Sequence, residues 1–117
     1  MTIEHVLAVV PVADVDTARS WYERLLGRAP DNRPMDILLE WRVTDTGWLQ
    51  VSHDTDRAGT ALVNFAVDDL DAHLAGLRIN GLTPGPVQNV NKGVQLSAIS
   101  DPDGNIITFI GNFRITY

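Results

Sequence analysis

The chain has 117 residues, 44% of them hydrophobic, with no cysteine and a formal net charge of −6. That is enough chain for one hydrophobic core without metals or disulfides to staple it, and the missing thiols exclude cysteine catalysis, cysteine-ligated metal and disulfides. The acidity and the scattered Lys and Arg argue against nucleic acid and anionic membranes as partners. No apolar run approaches the ~20 residues of a bilayer span and no basic-then-apolar leader opens the chain, so a cytoplasmic location is expected.

Residues 3–12 form a nearly continuous apolar, β-branched run interrupted only by Glu4 and His5, which reads as a largely buried strand. Asp14 is placed to cap a helix, with Asp16 in its first turn. Val15, Ala18, Tyr22, Leu25 and Leu26 recur at steps of three and four, predicting one apolar face over residues 15–26, and Gly27 is suited to a left-handed cap. Residues 28–35, with Pro30 and Pro34, read as a loop. A hairpin follows, with strands at 37–42 and 48–51 about a turn at Asp45-Thr46-Gly47. The polar stretch 53–59 is a connection.

The pattern then restarts. Residues 60–67 read as a strand, Asp69 as a second cap, and Leu70, Leu74 and Leu77 as the apolar face of a helix over 70–80 that closes at Asn80-Gly81. After a loop at 84–92, strands at 93–100 and 105–110 flank Asp101-Pro102-Asp103-Gly104-Asn105, where Pro102 presets the turn and Gly104 supplies a positive φ. Asp14 aligns with Asp69 at an offset of 55, Gly27 with Gly81 at 54, and Asp45 with Asp103 at 58. This ordered drift predicts a duplicated module whose second copy has a longer loop. Residues 1–117 are read as a single domain, with modules at about 1–55 and 60–117.

The helix Asp14-Val15-Asp16-Thr17-Ala18-Arg19-Ser20-Trp21-Tyr22-Glu23-Arg24-Leu25-Leu26-Gly27 resembles the Asp-Leu…Phe-Tyr…Leu-Gly helix of the vicinal oxygen chelate superfamily, which holds glyoxalase I, the bleomycin-resistance proteins and the extradiol dioxygenases. The Asp-Pro-Asp-Gly-Asn turn is similar to that family's own, and the two motifs together carry the resemblance over essentially the whole chain. It implies an α+β fold of two tandem β-α-β-β-β modules whose curled sheets form a cleft, and a homodimer. Residues 111–117, alternating Phe113, Ile115 and Tyr117 with polar residues, would then extend as a strand against a partner or pack as a tail on their own subunit.

In metal-dependent members, His and Glu from the first and last strands of each module hold one divalent cation. Carried across by the two motifs, those positions are Leu7, Gln50, Leu62 and Thr108, and the internal repeat independently pairs Leu7 with Leu62 and Gln50 with Thr108. Two leucines cannot ligate and a hard or borderline ion wants several oxygen or imidazole donors. No metal and no cofactor is therefore expected. His5 lies two residues before Leu7, about 6.7 Å along the strand, and His53 stands beside Asp54 and Asp56; either could serve a displaced site, although a surface role fits both better. His73, at the position matching Ala18, reads as packed at a helix edge.

Alternation in Trp48-Leu49-Gln50-Val51-Ser52 sends Leu49 and Val51 to the helix-packed face and Trp48, Gln50 and Ser52 to the other. By the repeat, Ile106, Thr108 and Ile110 share that opposite face. Leu7, Trp48, Leu62 and Ile106 would then make a mostly apolar cleft with Gln50 and Thr108 as isolated polar handles, the character of a small-molecule pocket. Alternation does not settle the facing of Trp41 and Asn64. The leading reading is a metal-independent protein that sequesters an organic, drug-like ligand. The alternative is a glyoxalase-like lyase or isomerase, or a dioxygenase-related enzyme, with a displaced metal site.

Overall fold

Residues Met1–Tyr117 are all described by a computed structural model. Strand β1 (Val6–Val12) leads into helix α1 (Val15–Leu26), then β2 (Asn32–Met35), β3 (Leu38–Arg42) and β4 (Gly47–His53). The order repeats with β5 (Leu62–Val67), α2 (Leu70–Ile79), β6 (Gln88–Asn89), β7 (Gln95–Ser100) and β8 (Ile106–Gly111). Each half makes its own four-stranded sheet, in the orders β1-β4-β3-β2 and β5-β8-β7-β6. The fold is thus α+β, built from two β-α-β-β-β modules whose sheets are curled but not closed.

Local chemistry fixes the helices. The Asp14 side chain accepts from the Asp16 and Thr17 N–H groups, and Gly27 ends α1 at φ 76°, donating to the Glu23 carbonyl. Asp69 caps α2 in the same way, accepting from Ala72 N–H, so both helices start where a short carboxylate can satisfy otherwise orphaned donors.

The strand registers reproduce the repeat. Leu7 pairs with Trp48 in the first sheet and Leu62 with Ile106 in the second; Leu39 pairs with Val51 and Ser97 with Phe109. The offsets of 55 before the helices and 58 in the hairpins are therefore structural equivalences. Core positions follow: Val10, Val12, Leu39, Trp41, Leu49 and Val51 in one half join Val63, Ile99, Ile107 and Phe109 in the other, with both helices' apolar faces, in a single buried cluster.

Several boundaries differ from the sequence expectation: β1 begins at Val6 rather than residue 3, with Val6, Leu7 and Val9 exposed because its outer face is uncovered, and β5 begins at Leu62 rather than residue 60. Strand β2 lies inside the stretch read as a loop, all four residues exposed and one of them Pro34. An edge strand tolerates proline and needs no apolar face, so it leaves no alternation to detect. The same holds for the two-residue β6 within the expected loop 84–92. Strand β7 starts at Gln95 rather than residue 93, because Asn91–Gly93 is a short 3₁₀ turn with Lys92 in the left-handed region at φ 57°. Beyond Gly111 no strand continues, and Phe113, Ile115 and Tyr117 are exposed.

The two halves are tied by the Asp-Pro-Asp-Gly-Asn turn. The buried Asp101 carboxylate accepts from the Tyr22 hydroxyl at 2.7 Å, from the Asn105 amide at 2.8 Å, and from the backbone N–H groups of Asp103 and Asn105 at 2.9 Å. Asn105, fully buried, donates to the Pro11 carbonyl in β1 and accepts from Ala61 N–H ahead of β5. Gly59 closes the same junction at φ +86°, where a Cβ would stand 2.3 Å from the Asp103 carbonyl oxygen.

Tyr22→Phe leaves this carboxylate one donor short, and loss of a hydrogen bond to a buried charge should cost about 1.5–3 kcal/mol in urea unfolding at neutral pH. Burial, reinforced by the neighbouring Asp101 carboxylate, raises the Tyr22 pKa well above the ordinary 10.0. The unfolded chain therefore ionises this tyrosine first, so its contribution to stability is complete below pH 10.0 and is lost as pH rises beyond it. Urea unfolding on both sides of that pH should show an alkaline loss of stability that is smaller in Tyr22→Phe. Equal losses in the two proteins would contradict the assignment.

Candidate functional site

Each sheet has one face against a helix and one face open. On the first sheet, Leu39, Trp41, Leu49 and Val51 are buried, which leaves Leu7, Val9, Leu38, Glu40, Arg42, Trp48, Gln50 and Ser52 opposite them by alternation. On the second, Val63, Ile99, Ile107 and Phe109 are buried, and Leu62, Asn64, Ala98, Ile106, Thr108 and Ile110 take the open face. The six residues expected to line a cleft all lie on open faces, three on each sheet. Trp41 does not: it is fully buried and donates its indole N–H to the Arg28 carbonyl. Asn64 does, paired in register with Thr108.

Within each sheet the structure brings the expected residues side by side, since Leu7 is the neighbour of Trp48 and Leu62 of Ile106. Between sheets it does not. Leu7 is 45% exposed, Leu62 77% and Ile106 38%, and none of the four principal cavities of the chain is lined by any of the six. The most apolar cavity, about 250 Å³, lies elsewhere, between the end of α1 and the helix side of the second sheet. Leu25, Leu26, Phe65, Phe109 and His73 line it.

The first open face carries the polar groups. Gln50 donates its amide to one Glu40 oxygen at 2.6 Å, and Asn32 donates to the other at 3.3 Å. Trp48 donates its indole N–H to His5 Nδ1 at 3.1 Å, and the Arg42 guanidinium sits 5.8 Å from the Trp48 ring centre, a cation–π contact. The Glu40 pairing is reachable from sequence through the hairpin register. Asn32 is not, because it sits on the undetected β2.

The family's ion position does not fit an ion here. Its four places hold Leu7, Gln50, Leu62 and Thr108, and the one amide among them is turned to Glu40. No three His, Asp or Glu side chains anywhere in the chain are grouped to hold one. The displaced alternatives are not assembled: Asp54 is engaged by the Arg57 N–H and guanidinium, His53 ends β4 exposed, and His5 serves Trp48. His73 packs on Phe109 with ring centres 4.5 Å apart, its Nε2 buried without a partner, and burial lowers its pKa.

The sequence matches no family model and no curated relative. Solved structures do match. A glyoxalase/bleomycin resistance protein from Catenulispora acidiphila is 30% identical with a TM-score of 0.87, over 93% of this chain and 98% of that one. A bleomycin-binding protein in complex with bleomycin is 20% identical with a TM-score of 0.77, over 96% and 100%. An antibiotic-binding protein from a Streptomyces species is 27% identical with a TM-score of 0.72, over 95% and 98%. With the Catenulispora likeness spanning nearly the whole of both chains, and the helix and turn motifs in their expected structural places, the chain belongs to the glyoxalase/bleomycin-resistance family of the vicinal oxygen chelate superfamily.

Proposed function

We propose that this protein binds a small organic molecule without a metal, between the open face of the first sheet and the open face of a second sheet. The observation that carries the proposal is the content of the family's ion position: leucine stands at two of its four places, and Leu7 and Leu62 extend apolar walls where ligands would be needed. The bleomycin-binding and antibiotic-binding proteins that share this fold support the same reading. Leu7, Trp48, Leu62 and Ile106 supply the walls, and Gln50 and Thr108 the polar handles. Such a surface captures a ligand by apolar area and orients it with few hydrogen bonds.

The same exposure supports a homodimer. Leu7, Val9, Leu62 and Ile106 on the open faces and Val6 at the start of β1 are uncovered in the single chain, Val6 at 69% and Val9 at 54%, and exposed apolar surface of this kind marks an interaction site. A second copy offers the complementary face by symmetry. Sedimentation at micromolar concentration should give twice the chain mass, and a monomer alone would count against this assembly.

Titration with bleomycin and with a panel of aromatic drugs, followed by tryptophan fluorescence, tests the cleft. Trp21 and Trp41 are buried and Trp48 is half-exposed on the open face, so a ligand seated there should quench Trp48 selectively. Trp48→Ala should weaken binding by on the order of 1–3 kcal/mol if the indole is a buried anchor. A ligand whose affinity is unchanged in that variant binds elsewhere. Elemental analysis of protein purified without chelator should find no stoichiometric Ni, Zn, Fe or Mn; an ion bound between the four positions would refute the metal-free reading.

A further inference from the structure

The two open faces are equivalent by the repeat and opposite in chemistry. At the offset of 58, Glu40 corresponds to Ala98, Arg42 to Ser100 and Gln50 to Thr108. Taken with Leu62, Asn64, Ala66, Leu96, Ile106 and Ile110, the second sheet's open face contains no ionisable side chain. The first holds a half-buried carboxylate at its centre.

That carboxylate has no cation. None of the chain's four ion pairs includes Glu40. Arg42, two residues along the same strand, turns its guanidinium to the Asp45 carbonyl and over the Trp48 ring. Glu40 instead receives one neutral amide on each oxygen, from Gln50 and from Asn32. A carboxylate offers about four acceptor positions, so these two amides fix its orientation and leave capacity on both oxygens. Covering it with an apolar or merely neutral surface would strip its water without compensation, which is costly for an ionised group. A neutral facing sheet cannot supply the missing charge, whichever copy of the chain provides it.

We propose that Glu40 is the counter-ion for a protonated amine, amidine or guanidinium on the ligand, so that the site selects organic cations with an aromatic or apolar body. Gln50 and Asn32 are positioning residues for that carboxylate. The inference rests on the cleft reading above and adds the charge class of what enters it. The body of the ligand would lie along Leu7 and Trp48, with its cation one strand over at Glu40.

The test uses two matched probes, 1-naphthylmethylamine and 1-naphthalenemethanol, with wild-type protein and Glu40→Gln, which keeps the side chain's size. Binding is read by calorimetry and by Trp48 fluorescence, with thermal melts verifying that both proteins are folded. The wild type should bind the amine about tenfold to a hundredfold more tightly than the alcohol, as a charge-assisted hydrogen bond predicts. Glu40→Gln should erase that preference and leave the alcohol's affinity unchanged. Raising the salt concentration should weaken the amine alone. Equal binding of both probes to the wild type, or a preference that survives in Glu40→Gln, would overturn the role of Glu40 while leaving the apolar cleft standing. Failure of both probes to bind or to quench Trp48 would overturn the cleft reading and this inference together. If Glu40→Gln is unfolded in the melts, Gln50→Leu with Asn32→Ala, which frees the carboxylate without removing it, should reduce the preference; an unchanged preference there overturns the positioning role.

Discussion

The arrangement of both modules depends on one buried carboxylate. Asp101 sits where four donors converge, two from its own turn, one from the Asn105 side chain and one from Tyr22 in the other half of the chain. Removing a carboxylate from water is tolerable only when its lone pairs are filled, and here all four are. Asn105 carries the constraint outward to Pro11 at the end of β1 and Ala61 at the start of β5. Glycine at position 59 lets the connecting backbone approach the turn where any side chain would collide with it. A local turn motif thereby becomes the brace between halves 79 to 94 residues apart in sequence.

This brace also shows where sequence reasoning stops. The helices were legible because their caps are local: Asp14, Gly27 and Asp69 act on neighbours within four residues. The face assignments were legible because alternation in a strand has period two, and Leu49 and Val51 are indeed buried while Trp48 and Gln50 are not fully so. Duplication was legible as an offset series that the registers reproduce. The Tyr22–Asp101 bond left no local trace, and Tyr22 read simply as one more apolar-face residue. Strands β2 and β6 were silent because edge strands can be short, polar and proline-bearing. For the candidate site, alternation identified which side chains share a face. It could not say that the two faces remain uncovered in one chain, because that depends on how whole sheets are placed.

Equivalent positions in the two halves have diverged by depth. Leu39 and Ser97, Trp41 and Ile99, Leu49 and Ile107, Val51 and Phe109 are all buried in both copies, since each must fill space against a helix at close-packed density. The open-face pairs obey no such rule. Trp48 stands opposite Ile106 in the repeat, Gln50 opposite Thr108, Glu40 opposite Ala98, and the changes alter shape, polarity and charge together. A scaffold with this division can change what it recognises without disturbing what holds it up.

Leucine at both Leu7 and Leu62 fits the proposed metal-free cleft by the same division. An ion site draws its affinity from a few fixed donors, and losing two of four abolishes it. An apolar cleft draws its affinity from area, about 25 cal/mol per Å² removed from water, so every leucine side chain that replaces a donor adds to capture. Area alone discriminates poorly between ligands, however, because one apolar body fits much as another does. In the proposed cleft, discrimination then falls to the few polar atoms that remain, and on these two faces the one carboxylate is Glu40, held in place by its amide neighbours.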